Sequence, residues 1–226
     1  MANIGQQKKS EQKKSKILHS AAKLFLTYGY QNTKIQDIAK DAGVGPNAVF
    51  FHFGDKDGLM AELVSYVLEG QFEATTRFMN DNLSDKILFY AAETTLQLHM
   101  AESSEHIREL YTTAYSLPKS STIIYDTLTA KLEDIFKEHL PHLDSKDFYE
   151  LELASGGIMR SFLTVPCNRY FTMERKIKRF LETTFLVYEV PKEKIAETIA
   201  FVSRFDYPTL AQQTIDNMLK YLESRT

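Results

Sequence analysis

The reading of IQDIAKDAGVGPNAVFFHF, Ile35 to Phe53, decides the fold. It describes a short helix, a glycine break and a second short helix. Ile35, Ile38, Ala39 and Ala42 form one apolar stripe on the first. Gly43 stops it. Gly45 suits the N-cap of the second helix and Pro46 its first position. Val44 and Val49 occupy the two places of a hydrophobic staple. Val49, Phe50 and Phe53 are the expected buried side, which leaves Asn47, Ala48, Phe51 and His52 more outward. Helices this short are marginal in water alone, so the pair needs a neighbour to pack on.

That neighbour lies upstream. Between Ser15 and Tyr28, Ile17, Leu18, Ala21, Leu24, Phe25 and Tyr28 share one helical face, and Gly29 closes the helix. Thr33 is the expected N-cap of the first short helix, with Gln36 completing a capping box. Asp55 is expected to cap a fourth helix reaching about Arg77, with Leu59, Leu63, Tyr66 and Val67 inward. Two short helices around a tight glycine corner are the helix-turn-helix pattern. In that pattern the second helix enters the major groove and the first braces it across the backbone.

The charge distribution fits a polyanion at this end. The chain of 226 residues has a net charge of −3. Residues 1–60 hold nine lysines against five acids, a balance of +4, so the remainder carries −7. The alternative reading of this asymmetry is a solvated lysine tail on an acidic body. Residues 1–15 are expected to be frayed or disordered.

The rest of the chain reads as helices divided by punctuation. Expected helices run over 84–101, 104–115 (closed by Pro118), 121–140 (closed by Pro141), 145–165 and 172–188, and Pro191 and Pro208 open the last two. On 145–165, Phe148, Leu151, Ala154, Ser155, Ile158, Met159 and Phe162 are the expected inner face. On 172–188 it is Ile177, Phe180, Leu181, Thr184 and Tyr188. No sustained apolar/polar alternation of strand type is present, and the expected fold class is all-α. With a single cysteine, Cys167, no internal disulfide can form. The polar N-terminus lacks a signal-peptide pattern, and no apolar run is long enough for a transmembrane helix, so the expected location is cytoplasmic, with no membrane partner.

The residues from Phe25 to Leu59, FLTYGYQNTKIQDIAKDAGVGPNAVFFHFGDKDGL, resemble the DNA-binding domain of the tetracycline-repressor (TetR) family. The likeness rests on Phe25, Gly29, Thr33, Ile38-Ala39, Ala42-Gly43-Val44, Phe50, His52-Phe53, Lys56 and Leu59, and covers about the first quarter of the chain. It implies an N-terminal three-helix helix-turn-helix domain over 1–54 (motif 34–53), a connecting helix over 55–74, and a larger helical effector-binding and dimerisation domain over 75–226. It further implies a homodimer that binds double-stranded operator DNA, an unidentified small-molecule effector, no cofactor, and repression as the usual outcome.

Carried over by position, Thr33 and Lys34 would meet phosphate, and Gly45, Pro46, Asn47 and Ala48 would face the bases. Asn47 is the best candidate for direct reading, because an amide can pair bidentately with adenine. Phe50 stands where the family usually has a tyrosine whose hydroxyl reaches phosphate, so that contact is missing. Phe51 lies on the same helix, and His52 and Lys56 would contact phosphate. Gly45 and Pro46 replace commoner polar residues.

An effector site is expected among His99, Arg108, Tyr111, Tyr115, Tyr149, Arg160 and Phe162, which mix aromatic and polar character on helices near 84–116 and 145–165. The family pairs two late helices as a four-helix bundle. Residues 145–165 and 172–188 are the candidates here, through Ile158, Phe162, Leu181 and Phe185. Gly156 and Gly157 within a strong helix suggest close packing or a bend. No nucleophile elbow, phosphate loop or paired carboxylate signature marks an enzyme. His139, His142 and Asp144 span a helix end without a further ligand cluster, so no metal is expected, and Cys167 has no evident base. The competing class is a helical binding module that keeps the fold without sequence-specific DNA binding.

Overall fold

A computed structural model describes the backbone of residues 2–226 and, within that span, the side chains of all but residues 2–5 and 81. Among the described residues the chain forms eleven α-helices and one 3-10 turn (Asn80–Asn82), with no strand. The helices are α1 (Ala2–Tyr28), α2 (Ile35–Asp41), α3 (Pro46–Phe53), α4 (Lys56–Met79), α5 (Lys86–Glu102), α6 (Glu105–Ala114), α7 (Pro118–Phe136), α8 (Ser145–Thr164), α9 (Met173–Val187), α10 (Lys192–Val202) and α11 (Tyr207–Ser224).

Helix α1 departs from expectation at its start. The lysine-rich segment expected to fray is helical from Ala2, since its Lys, Gln and Glu residues are good helix formers with no proline to interrupt them. Its buried stripe is Ile17, Leu18, Ala21, Leu24 and Phe25, while Tyr28 turns outward. Helices α2 and α3 pack on that stripe through Ile38, Ala39, Val49 and Phe53, all buried.

The corner between them forms as its residues dictate. Gly43 takes φ +66°, a left-handed value that costs glycine little, and the Val44 amide donates to the Ala39 carbonyl (2.9 Å). Gly45 caps α3 in extended conformation with Pro46 behind it. The cap of α2 differs from expectation. Lys34 holds the N-cap position, and the Asp37 carboxylate reaches back to its amide (3.2 Å). Thr33 instead turns its hydroxyl inward to the Gly29 carbonyl (2.7 Å). At the start of α4 the Asp55 carboxylate accepts from the Gly58 amide (2.7 Å). A Cβ at Gly58 would lie 2.0 Å from the Phe53 carbonyl, so glycine alone lets α3 end this close to α4.

The remaining helices wrap α5, which is buried on nearly every side from Leu88 to Ala101. Pro118, expected only to close the helix before it, also opens α7 at its first turn. The inner face of α8 is Phe148, Glu152, Ser155, Gly156, Met159 and Leu163. That is a rotation of the expected stripe, with Ala154 exposed and Leu151 half-buried. An aromatic cluster fills the far end of the body. Phe136 stacks on Tyr188 (centroids 4.1 Å apart, planes 4° apart), and Tyr90 meets both rings edge-on.

Candidate functional site

The outward face of α3 is set by its burial pattern. Val49 and Phe53 point inward, so Gly45, Pro46, Asn47, Phe50 and Phe51 are exposed. Phe51 is 81% exposed and Phe50 45%. The exposure of Phe50 corrects the expectation that it is buried. At helical spacing from Val49 and Phe53 it falls on the flank of the buried stripe and faces out beside Asn47. Ala48 and His52 are half-buried. An exposed Asn next to two unpaired phenyl rings is a surface able to read base edges by amide hydrogen bonds and thymine methyls by apolar contact.

The surrounding charges are lysines. Lys8, Lys9, Lys13 and Lys16 of α1 are exposed, as are Lys34 and Lys40. Lys14 pairs with Glu62 (2.7 Å) and Lys23 with Asp41 (2.6 Å). Burial and the neighbouring Lys14 hold the His52 imidazole below its ordinary pKa, so it is neutral near pH 7 and serves as a hydrogen-bond partner rather than a charge.

Two expected phosphate contacts are not available as side chains. Thr33 is 3% exposed and its hydroxyl is committed to Gly29 and Leu24 carbonyls. The Lys56 ammonium donates to the Tyr30 carbonyl and lies 3.9 Å from the centroid of the Tyr30 ring, and burial lowers its pKa. Both residues brace the motif from behind.

A cavity of about 130 Å³ lies between α1, α4, α5, α6, α7 and α11. Its walls include Leu63, Val67, Met100, Leu110 and Met218, with Tyr111 and Tyr115 on α6 and at its end. Gln71 also lines it, fully buried, and neither end of its amide has a protein partner. Of the expected effector residues, Tyr111 and Tyr115 are here. The other five are elsewhere: on α8 the inner face is rotated from the expected one, and His99 and Arg108 are drawn to partners outside the cavity. His99 stacks on Tyr207 in a different cleft (5.3 Å, 11°), where burial depresses its pKa to about 4. Arg108 pairs with Glu102 (3.7 Å), which also holds Lys176 (2.6 Å). Tyr149 and Arg160 are exposed on α8, and Phe162 packs edge-on against Phe180 (5.6 Å). Gln71 escapes sequence reasoning because a lone amide among apolar residues of α4 carries no motif.

The helices that wall the cavity are tied to the end of α1 and the start of α4 by specific bonds. On α6, the Glu109 carboxylate accepts from the amides of Gln31 (2.8 Å) and Tyr30 (3.2 Å), and His106 Nδ1 lies 3.0 Å from the Leu26 carbonyl. At the start of α7, the Lys119 amide (3.1 Å) and Ser120 hydroxyl (3.0 Å) donate to Asp57, and Lys119 Nζ pairs with Asp55 (2.7 Å).

The expected dimer residues divide. Leu181 and Phe185 are fully buried within the chain and cannot meet a partner; Ile158 and Phe162 are half-buried. Leu153, Val165 and Leu186 are exposed apolar side chains on α8, its C-cap and α9. Gly157 faces outward, and a Cβ there would have nothing within 4 Å, while a Cβ at Gly156 would be tight, 3.0 Å from Glu152 Oε1 and 3.3 Å from the Tyr125 ring.

Among the described residues no group of three or more His, Cys, Asp or Glu side chains is placed to hold a metal ion. His139 Nε2 instead lies 3.2 Å from the Glu189 carbonyl. Burial raises the Cys167 thiol pKa, which is the opposite of activation. No described helix is long and apolar enough to cross a membrane.

Residues 17–63 match the family described as bacterial regulatory proteins, tetR family. The chain is 29% identical over 160 residues, 70% of each sequence, to the probable HTH-type transcriptional regulator YttP of Bacillus subtilis (strain 168). It is 33% identical over 93 residues to the HTH-type transcriptional regulator AcrR of Shigella flexneri, spanning 38% of this chain and 43% of that protein. The fold is similar to that of RolR, solved in complex with resorcinol: TM-score 0.66 at 15% identity, covering 87% of this chain and 96% of that one.

Proposed function

Because this chain belongs to the TetR family of DNA-binding transcriptional regulators, we propose that it is a dimeric repressor whose α3 reads a near-palindromic operator and whose inner cavity takes the effector that releases it. The observation that carries this reading is the exposed Asn47–Phe51 face of α3, in a motif whose flanking α1 and α4 are joined through Glu109 and Asp57 to helices that wall an apolar cavity. Residues 1–54 are the DNA-binding unit in this reading, 55–74 the connecting helix and 75–226 the effector and dimer unit. Asn47 reads a base, Phe50 and Phe51 press on thymine methyls, and Lys34 with the exposed α1 lysines supplies salt-sensitive phosphate contact. The Gly45 and Pro46 backbone and Ala48 allow close approach, and His52 offers a neutral hydrogen bond. Two copies of α3 would sit about 34–36 Å apart, one turn of DNA.

Selection from random duplex DNA with the purified protein tests this. A palindrome should be enriched, and Asn47→Ala should weaken binding to it by about 10–100-fold, the worth of one bidentate base contact. Replacing the operator's thymines by uracil should weaken it further through Phe51. Salt-dependent binding with no enriched sequence would reduce the claim to charge attraction.

Dimerisation is assigned to the outward side of α8 with Leu186 of α9, where Leu153, Gly157 and Val165 leave an apolar strip with room for a partner helix. Leu153→Glu with Leu186→Glu should give a monomer by light scattering at micromolar concentration, with the melting of the single chain little changed. A dimer that persists in this double variant would place the interface elsewhere.

A further inference from the structure

A second cavity, about 30 Å³, adjoins the apolar one; Leu68, Gln97 and Tyr115 line both. Its character is different. Glu93 of α5 and Glu152 of α8 both line it, with Tyr90, Tyr115 and Phe72 around them. Glu93 is 6% exposed and forms no hydrogen bond or ion pair among the described residues. Glu152 is 2% exposed. Its Oε2 accepts from the Ser155 hydroxyl (3.0 Å), which itself accepts from Tyr188 (2.7 Å), and its Oε1 has no protein partner. The one basic residue on this cavity's lining, Lys131, is exposed; it holds its ammonium over the Phe72 ring (5.0 Å) and pairs with neither carboxylate.

Burying one carboxyl without a partner costs free energy, and burying two against each other costs more. Burial pushes both up to about 8, and the Glu93 charge further disfavours ionisation of Glu152. Packing alone would be better served by apolar residues of the same size. The pair makes sense if something brings a positive charge between them, with aromatic faces to share it. The adjoining chamber is close in size to cavities that hold a single benzene ring.

We propose that the two joined cavities form one binding site for a small hydrophobic organic cation, with its apolar body in the chamber between α4, α6 and α11 and its ammonium between Glu93 and Glu152. This rests on the effector-pocket reading above and names the chemical class the pocket takes. Binding displaces a proton: the ammonium enters, one carboxylic acid ionises beside it, and the proton leaves to solvent.

Three probes of similar size separate the possibilities on the full-length chain: phenethylamine, its isostere 2-phenylethanol, and phenylacetate, read by calorimetry and thermal shift. Phenethylamine should bind about tenfold or more tighter than the alcohol, and phenylacetate most weakly. Glu93→Gln and Glu152→Gln should each remove most of that preference while leaving the affinity for 2-phenylethanol within about twofold. Glutamine copies the shape of a protonated carboxyl, so both variants should fold. In the unaltered protein, calorimetry in two buffers of different ionisation heat should show release of about one proton per amine bound. If the alcohol binds as tightly as the amine, or no proton is released, the cation assignment is overturned and the effector pocket stands. If none of the three binds, the pocket reading fails with it.

Discussion

Phe136→Ala is expected to lower stability by about 3–5 kcal/mol, the usual cost of truncating a fully buried phenylalanine. The ring is completely enclosed, lies flat on Tyr188 and edge-on to Tyr90, so the loss includes aromatic contacts as well as apolar area. For a chain of this length the melting temperature should fall by roughly 6–20 °C. Below the new transition, α1–α3 lie outside the damaged region, and DNA binding should persist. Calorimetric melting of the variant decides the matter, and a loss under about 1 kcal/mol would mean that neighbouring side chains close the space.

The second large effect is expected at Glu109. Its carboxylate is the acceptor for two backbone amides at the end of α1, and it projects from the helix that walls the apolar cavity. Glu109→Ala leaves both amides without that acceptor. The stability loss should be about 1–3 kcal/mol, the lower end applying where water replaces the carboxylate at Gln31. The larger consequence is for coupling. Filling the cavity can alter DNA affinity only if it favours one arrangement of α1 and α4 over another. With Glu109 gone, the polar contact left between α6 and α1 among the described residues is His106 to the Leu26 carbonyl, and the clasp at Asp57 remains. Operator affinity without an occupant should change little. The ratio of affinities with and without phenethylamine should fall toward one, by about 5–150-fold if α6 carries most of the coupling. Faster hydrogen exchange at Tyr30 and Gln31 should accompany it. An unchanged ratio would assign the coupling to α7 and Asp57 instead.

The N-terminal motif is legible because its determinants are local. Gly43, Gly45, Pro46 and Asp55 act within a turn of themselves, and each does what its chemistry predicts. Thr33, Lys56 and Phe50 differ for tertiary reasons. Thr33 can cap a helix, but the Gly29 and Leu24 carbonyls claim its hydroxyl. The Lys56 ammonium is drawn to the Tyr30 carbonyl and ring. Phe50 is exposed because the stripe through Val49 and Phe53 is only as wide as α1 behind it. In the body, most helices and their breaks are readable from capping residues and prolines. Their inner faces are less so, because helices buried on several sides lack a single apolar stripe. On α8, which has one buried face, that face holds Glu152 and Gly156, which a reading by apolar residues passes over, so it is rotated from expectation and Tyr149 and Arg160 lie away from the cavity.

The sequence by itself therefore determined the helical class, the order and approximate ends of the elements, and the helix-turn-helix. All of these follow from interactions within a few residues of each other. It also carried the resemblance that led to the TetR family, since that motif is contiguous. The three-dimensional packing alone decided which side chains meet across helices. Gln71, Glu93 and Glu152 come from α4, α5 and α8, successive gaps of 22 and 59 residues along the chain, and no spacing rule links them. Glu109 and Asp57 reach backbone amides more than 60 residues away. Contacts of that kind depend on how whole helices are rotated against one another, which is settled only when every buried face has found its cover.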